Sequence, residues 1–166
     1  MIRILGIEVP DAGRLFFAAL AVHVLAGLGA VLCGAIAATA AKRAGRHPRF
    51  GKAYLWLIGV VFASSTVLAA IRWRHSWHLF VIGVVAFGSA LVGWRAKRRG
   101  QLHRHILGMG LSYVAMLTAF YVDNGHQLPL WDRLHPIAYW LLPAAVGGPL
   151  IARALHRHAA NPEPLR

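Results

Sequence analysis

A chain of 166 residues with 58% hydrophobic and only 14% charged residues, at a mean hydropathy of +0.54, is too apolar to wet the surface of a soluble domain and too apolar to be disordered. Its 18 Lys and Arg stand against 5 Asp and Glu, a net charge of +13. In so apolar a chain the meaning of that charge depends on where it falls.

Five windows free of Asp, Glu, Lys and Arg follow one another along the chain, at 15–41, 53–71, 75–94, 105–122 and 134–152. A helix rising 1.5 Å per residue crosses a hydrocarbon core of about 30 Å in roughly 20 residues, so each window predicts a transmembrane helix. The first is too long for the apolar core of a signal peptide, and Glu8 and Asp11 stand where such a peptide is positive, so it reads as a retained helix. Cys33, the sole cysteine, forms no intrachain disulfide and reads as a small apolar side chain. The fifth window is interrupted by His135, Pro136, Pro143 and Pro149, which predicts a kinked helix or one beginning only at about Ile137. The expected fold is all-α, an integral membrane bundle of five transmembrane helices in a single membrane domain over 1–166.

The charges sort by side. Lys42, Arg43, Arg46, Arg49 and Lys52 lie between the first two helices, and Arg95, Lys97, Arg98, Arg99 and Arg104 between the third and fourth. An even number of crossings separates these loops, so they share a face with the C-terminal Arg153, Arg157 and Arg166. The opposite face holds Arg3, Arg14, Arg72, Arg74 and Arg133 with four of the five acids. By the positive-inside rule the basic face is cytoplasmic, which puts the N-terminus outside and the C-terminus inside a cell's inner membrane. The cationic excess then serves topology and contact with anionic lipids in the bilayer, and nucleic acid is not expected as a partner. Trp73, Trp77, Trp131, Tyr139 and Trp140 near one face, and Tyr54, Trp56 and Trp94 near the other, suit interfacial belts.

Ala41-Lys42-Arg43-Ala44-Gly45 recurs as Ala96-Lys97-Arg98-Arg99-Gly100, an offset of 55 residues that also carries His23 onto His78. The echo predicts a duplication of 15–71 as 72–122, giving a four-helix core with a two-fold axis along the membrane normal and a fifth helix added to it. Equivalent residues then face one another at equal depth. His23 and His78 form a pair toward the outer leaflet; His47 with His103 or His105 forms another near the basic face.

Most of the ten histidines lie in loops, helix ends or the tail, where an imidazole needs no role. His23 sits inside an uncharged helix, where a polar group faces the bundle interior and either bonds to another helix or binds a cofactor. Two neutral imidazoles on opposing helices, with Gly27, Gly34, Gly83 and Gly88 to admit a flat ring, suit the iron of a b-type haem. His23 and His78 are the expected axial ligands, with Arg14, Arg72 and Arg74 near enough in sequence to neutralise propionates; His47 and His103 are a second cofactor-binding pair. No Asp or Glu lies within a span, which disfavours a zinc or copper centre and a carboxylate proton relay alike. Asp123, Asn124 and His126, before Pro129, read as the end of the fourth helix and a turn.

The segment His47-Pro48-Arg49-Phe50-Gly51-Lys52-Ala53-Tyr54 resembles a signature of an uncharacterised family of bacterial multi-pass membrane proteins: His-Arg, two variable residues, Gly-Arg, one variable residue, Tyr. His103-Arg104, followed by Ile106, Leu107 and Met109, is similar to that family's second His-Arg motif. Pro48 and Lys52 stand where the family has Arg. The likeness covers about 20–122 and implies a four-helix core, with no activity attached. Two functional readings follow: an electron-transfer protein holding b haem between paired histidines, or a membrane accessory or assembly protein with no cofactor, whose histidines only pack.

Overall fold

The computed structural model describes residues 2–4, 7–9, 13–41, 45–129 and 131–160. Among them five helices follow in order: α1 (Gly13–Thr39), α2 (Arg46–Ile71), α3 (Trp73–Arg98), α4 (Leu102–Asn124) and α5 (Pro136–Ala160). Each is long and apolar enough to cross a membrane, so the fold is an all-α bundle of the multi-pass membrane kind. Large apolar side chains cover its outside, among them Leu25, Trp56 and Leu150, as lipid contact requires and water would not tolerate.

Ahead of α1, a ribbon that the windows of hydropathy do not predict pairs β1 (Ile2–Ile4) with β2 (Ile7–Val9), antiparallel, with Ile2 opposite Val9 and Ile4 opposite Ile7. Both strands are rich in β-branched residues, which favour extended backbone. The helices outrun their charge-free windows mainly at the basic end, because Arg and Lys side chains reach the interface while their backbone stays helical. The helix therefore includes residues 46–52, expected in a loop: α2 starts at Arg46, and His47 and Pro48 lie in its first turn, where proline's missing N–H costs nothing. α5 starts with Pro136 and runs unbroken through Pro143 and Pro149.

α1 packs chiefly on α2 and α3 chiefly on α4, with α2 against α3 and α4 against α5. Each hairpin turns through a glycine of positive φ, Gly45 at 128° and Gly100 at 70°. Gly100 ends α3 in a Schellman turn: its N–H bonds to the Lys97 carbonyl at 3.1 Å and that of Gln101 to Ala96 at 2.9 Å. At the other end of the bundle α2 and α3 are separated by Arg72 alone. The alternation gathers Arg46, Arg49, Lys52, Arg95, Lys97, Arg98, Arg99, Arg104, Arg153 and Arg157 at one end, the basic end. Lys42, Arg43 and Arg166, expected with them, lie outside the described residues, as does Glu163.

The core is drawn from four helices: Ala30 of α1, Tyr54 and Ile58 of α2, Ala86 and Ala90 of α3, and Ala115 and Met116 of α4. Small residues on α1 and α3 let the helices approach, and larger ones on α2 and α4 fill the space between them. The Tyr54 hydroxyl and Ser112 Oγ, both buried, share a hydrogen bond of 2.7 Å, and the Tyr113 hydroxyl donates to the Val31 carbonyl at 3.0 Å, tying α4 to α2 and to α1. α3 and α4 touch backbone to backbone where Gly93 meets Gly108. α5 lies outside this core, held to α4 by Ile151 over Gly110, Val114 over Gly147 and Tyr139 over Gly125.

Packing follows a register different from the basic pentapeptides. Buried Ala26 and Ala30 recur as Ala86 and Ala90, 60 residues on, whereas buried Tyr54 and Ile58 recur as Ser112 and Met116, 58 residues on. The buried residues thus recur at offsets other than the 55 of the basic pentapeptides.

Candidate functional site

At the basic end the first turns of α2 and α4 lie side by side and bring His47 to His105. Their ring centroids are 6.3 Å apart and their planes cross at 89°. Each ring is tied to the helix before its own: His47 Nδ1 lies 2.8 Å from the Ala37 carbonyl oxygen of α1, and His105 Nδ1 lies 3.0 Å from that of Gly93 in α3. A carbonyl only accepts, so both Nδ1 atoms donate, and in the neutral ring the lone pair is on Nε2. Donation from one imidazole nitrogen to a backbone carbonyl is the arrangement that orients histidines whose other nitrogen binds a metal. Two imidazoles on opposite sides of one metal ion, each with a metal–nitrogen bond of about 2 Å, place their ring centres roughly 6 Å apart. The observed separation fits.

His103, the other partner expected for His47, points elsewhere. Two residues apart on a helix means about 200° around its axis, so His103 and His105 cannot share a face. His105 lies on the stripe of buried Gly108, Ser112 and Ala115 that faces the core, while His103 is exposed and meets His158 of α5, ring centroids 5.5 Å apart. The small residues at 108, 112 and 115, on the helical face that position 105 shares, are the signal in the sequence that selects between the two.

At the opposite end His23 and His78 have separate partners. His23 Nδ1 lies 3.1 Å from Ser64 Oγ, whose own proton is directed to the Val60 and Val61 carbonyls at 2.8 and 3.0 Å. The ring therefore donates to the hydroxyl, a bond between α1 and α2. His78, half-buried on α3, stands between Trp77 and Trp140, with centroids 6.0 and 6.3 Å away. What unites these residues is Asp123 at the end of α4, which lies within electrostatic range of His23, His78, His126 and Arg72. Asp123 and Asn124 end α4 and His126 lies in the 3-10 turn Gly125–Gln127, as the sequence predicts, and tertiary packing brings Asp123 within electrostatic range of the histidines of α1 and α3.

Among the described residues no group of three or more His, Cys, Asp and Glu side chains is placed to hold a metal ion. Two imidazoles can hydrogen-bond between helices or supply two nitrogen ligands to a metal. Comparison of the chain with protein-family models, with curated proteins and with solved structures gives no match.

Proposed function

We propose that this is an electron-transfer protein of a bacterial inner membrane that binds a b-type haem between His47 and His105. The observation that carries the reading is that pair: two core-facing imidazoles on opposed helices, each donating Nδ1–H to a carbonyl, at the separation a shared iron requires. Haem needs two protein ligands only, which suits a bundle with no larger ligand cluster among its described residues. Arg46, Arg49 and Arg104, on the first turns of the same two helices, suit the propionate carboxylates. Bound haem would supply a one-electron couple whose potential follows from its two imidazole ligands and its burial.

The pair His23 and His78 has weaker support as a second haem site, since Ser64 holds one ring and no ring contact joins the two. The reading without a cofactor draws on the same two bonds at the basic end, which clasp α1 to α2 and α3 to α4 whether or not a haem is present. A reduced-minus-oxidised absorption spectrum of protein expressed with a haem precursor separates the two. Sharp low-spin b-type bands are expected; a colourless preparation would favour the clasp.

The basic end faces the cytoplasm in this reading, where its cations meet anionic lipid headgroups. In spheroplasts a cysteine placed by Gln101→Cys, in a background with Cys33→Ala, is expected to resist a membrane-impermeant maleimide until the membrane is opened. Labelling of intact spheroplasts would reverse the orientation.

A further inference from the structure

At the basic end α4 begins and α5 finishes, and the chain that joins these two helices runs at the opposite end of the bundle. No covalent connection therefore holds them together here. His103, on the first turn of α4, and His158, on the last turn of α5, meet across this seam with ring centroids 5.5 Å apart and planes tilted at 59°. Among the described residues neither ring makes a hydrogen bond, unlike His47 and His105, each of which is tied to a backbone carbonyl. His103 is exposed and His158 half-buried, so water reaches the pair. Haem at His47 and His105 uses neither residue, and both lie outside the charge-free windows of the spans.

Metal–nitrogen bonds of about 2 Å place the centres of two ligating imidazoles about 6 Å apart when they stand opposite and about 5 Å apart at a tetrahedral angle. The 5.5 Å observed lies between these, shorter than the opposed arrangement a haem iron takes and suited to an ion that holds its ligands at a bent angle. At a tilt of 59° the rings do not stack face to face, which leaves a nitrogen of each free to converge on a common point. Among the described residues the basic end carries no Asp or Glu, so a calcium or magnesium ion, which takes oxygen ligands, finds no carboxylate there. Imidazole suits zinc, copper and nickel instead. No third His, Cys, Asp or Glu joins the pair among the described residues, and its exposure gives the remaining positions to water or a small anion, which Arg104 and Arg157, next in sequence to the two histidines, favour. We propose that His103 and His158 together bind one divalent transition-metal ion of the zinc class, and that the ion staples the free end of α5 to α4.

Calorimetric titration of the tag-free, detergent-solubilised full chain with zinc chloride tests the proposal. Saturable binding of one ion per chain is expected, and His103→Ala and His158→Ala are each expected to weaken it by at least the roughly tenfold that loss of even an outer-shell partner costs a metal site. His156→Ala, exposed on the same turn of α5 but about 200° around the helix from His158, is expected to leave affinity unchanged. Zinc is also expected to raise the thermal unfolding midpoint of the wild type and not that of His103→Ala or His158→Ala, because an ion bound only by the folded chain stabilises it. Comparable helical circular dichroism shows which variants have folded, and since the two ligands sit on different helices either variant alone keeps the test open. Absence of saturable zinc binding, or unchanged affinity in a folded His103→Ala or His158→Ala, would overturn the site. Loss of binding in His47→Ala or His105→Ala with His103→Ala unaffected would put the ion at the other pair and overturn it equally. Binding that leaves the wild-type midpoint unmoved would overturn the staple.

Discussion

Alanine at His47 or at His105 is expected to abolish the haem spectrum, each alone, while alanine at His103 leaves it intact. An iron held by two imidazoles loses its low-spin state when either is removed, and a haem attached by one bond is readily lost to detergent. His103 shares the helix turn and the basic surroundings of His105, so it controls for charge and position; what it lacks is the core-facing direction and the bond to the Gly93 carbonyl. Equal loss in all three variants would point to general damage at the basic end. Loss only in His103→Ala would restore the pairing that residue spacing alone suggests. His23→Ala is expected to keep the basic-end spectrum, because its ring bonds to Ser64 toward the other end of the bundle.

The largest effect on stability is expected from Gly108→Ala. A Cβ at Gly108 would stand 2.7 Å from the Cα and N of Gly93 and from the Ser89 carbonyl oxygen, all backbone atoms that no rotamer change can move aside. α3 and α4 would have to separate along their main contact, at a cost of about 1–3 kcal/mol or more. Because the Gly93 carbonyl also holds His105, the same variant is expected to weaken haem binding. Gly27→Ala and Gly88→Ala place their Cβ in open space and are expected to be neutral or to stabilise by up to about 1 kcal/mol through helix propensity. Thermal unfolding in detergent followed by circular dichroism distinguishes these cases. An unchanged midpoint for Gly108→Ala would contradict the close packing of α3 on α4.

The five spans were legible because a membrane imposes length and hydropathy directly on composition, and each charge-free window lies within an observed helix or overruns it by no more than two residues at a boundary. The true starts of α2 and α4 were not legible from charge alone, since Arg49, Lys52 and Arg104 stay helical while their side chains reach outward. That difference matters at His47, which belongs to a helix and so has a fixed direction. The interest of the histidines was legible, and so was His105 as one of two partners for His47; the choice between His103 and His105 was not. Loop echoes paired His23 with His78 at an offset of 55, whereas the buried Ala26 and Ala30 recur 60 residues on as Ala86 and Ala90. Asp123 was hidden for a related reason: nothing near it in sequence announces that His23, exactly one hundred residues earlier, ends up close enough to sense its charge.

The central claim is that His47 and His105 together ligate one iron, and low-temperature electron paramagnetic resonance of the oxidised protein addresses it most directly. Two imidazoles give a low-spin ferric signal, and planes crossed at 89° give its highly anisotropic form. That signal, at one haem per chain, is the expected result. A high-spin signal, which means an iron with at most one strong protein ligand, or no haem signal at all, would contradict it.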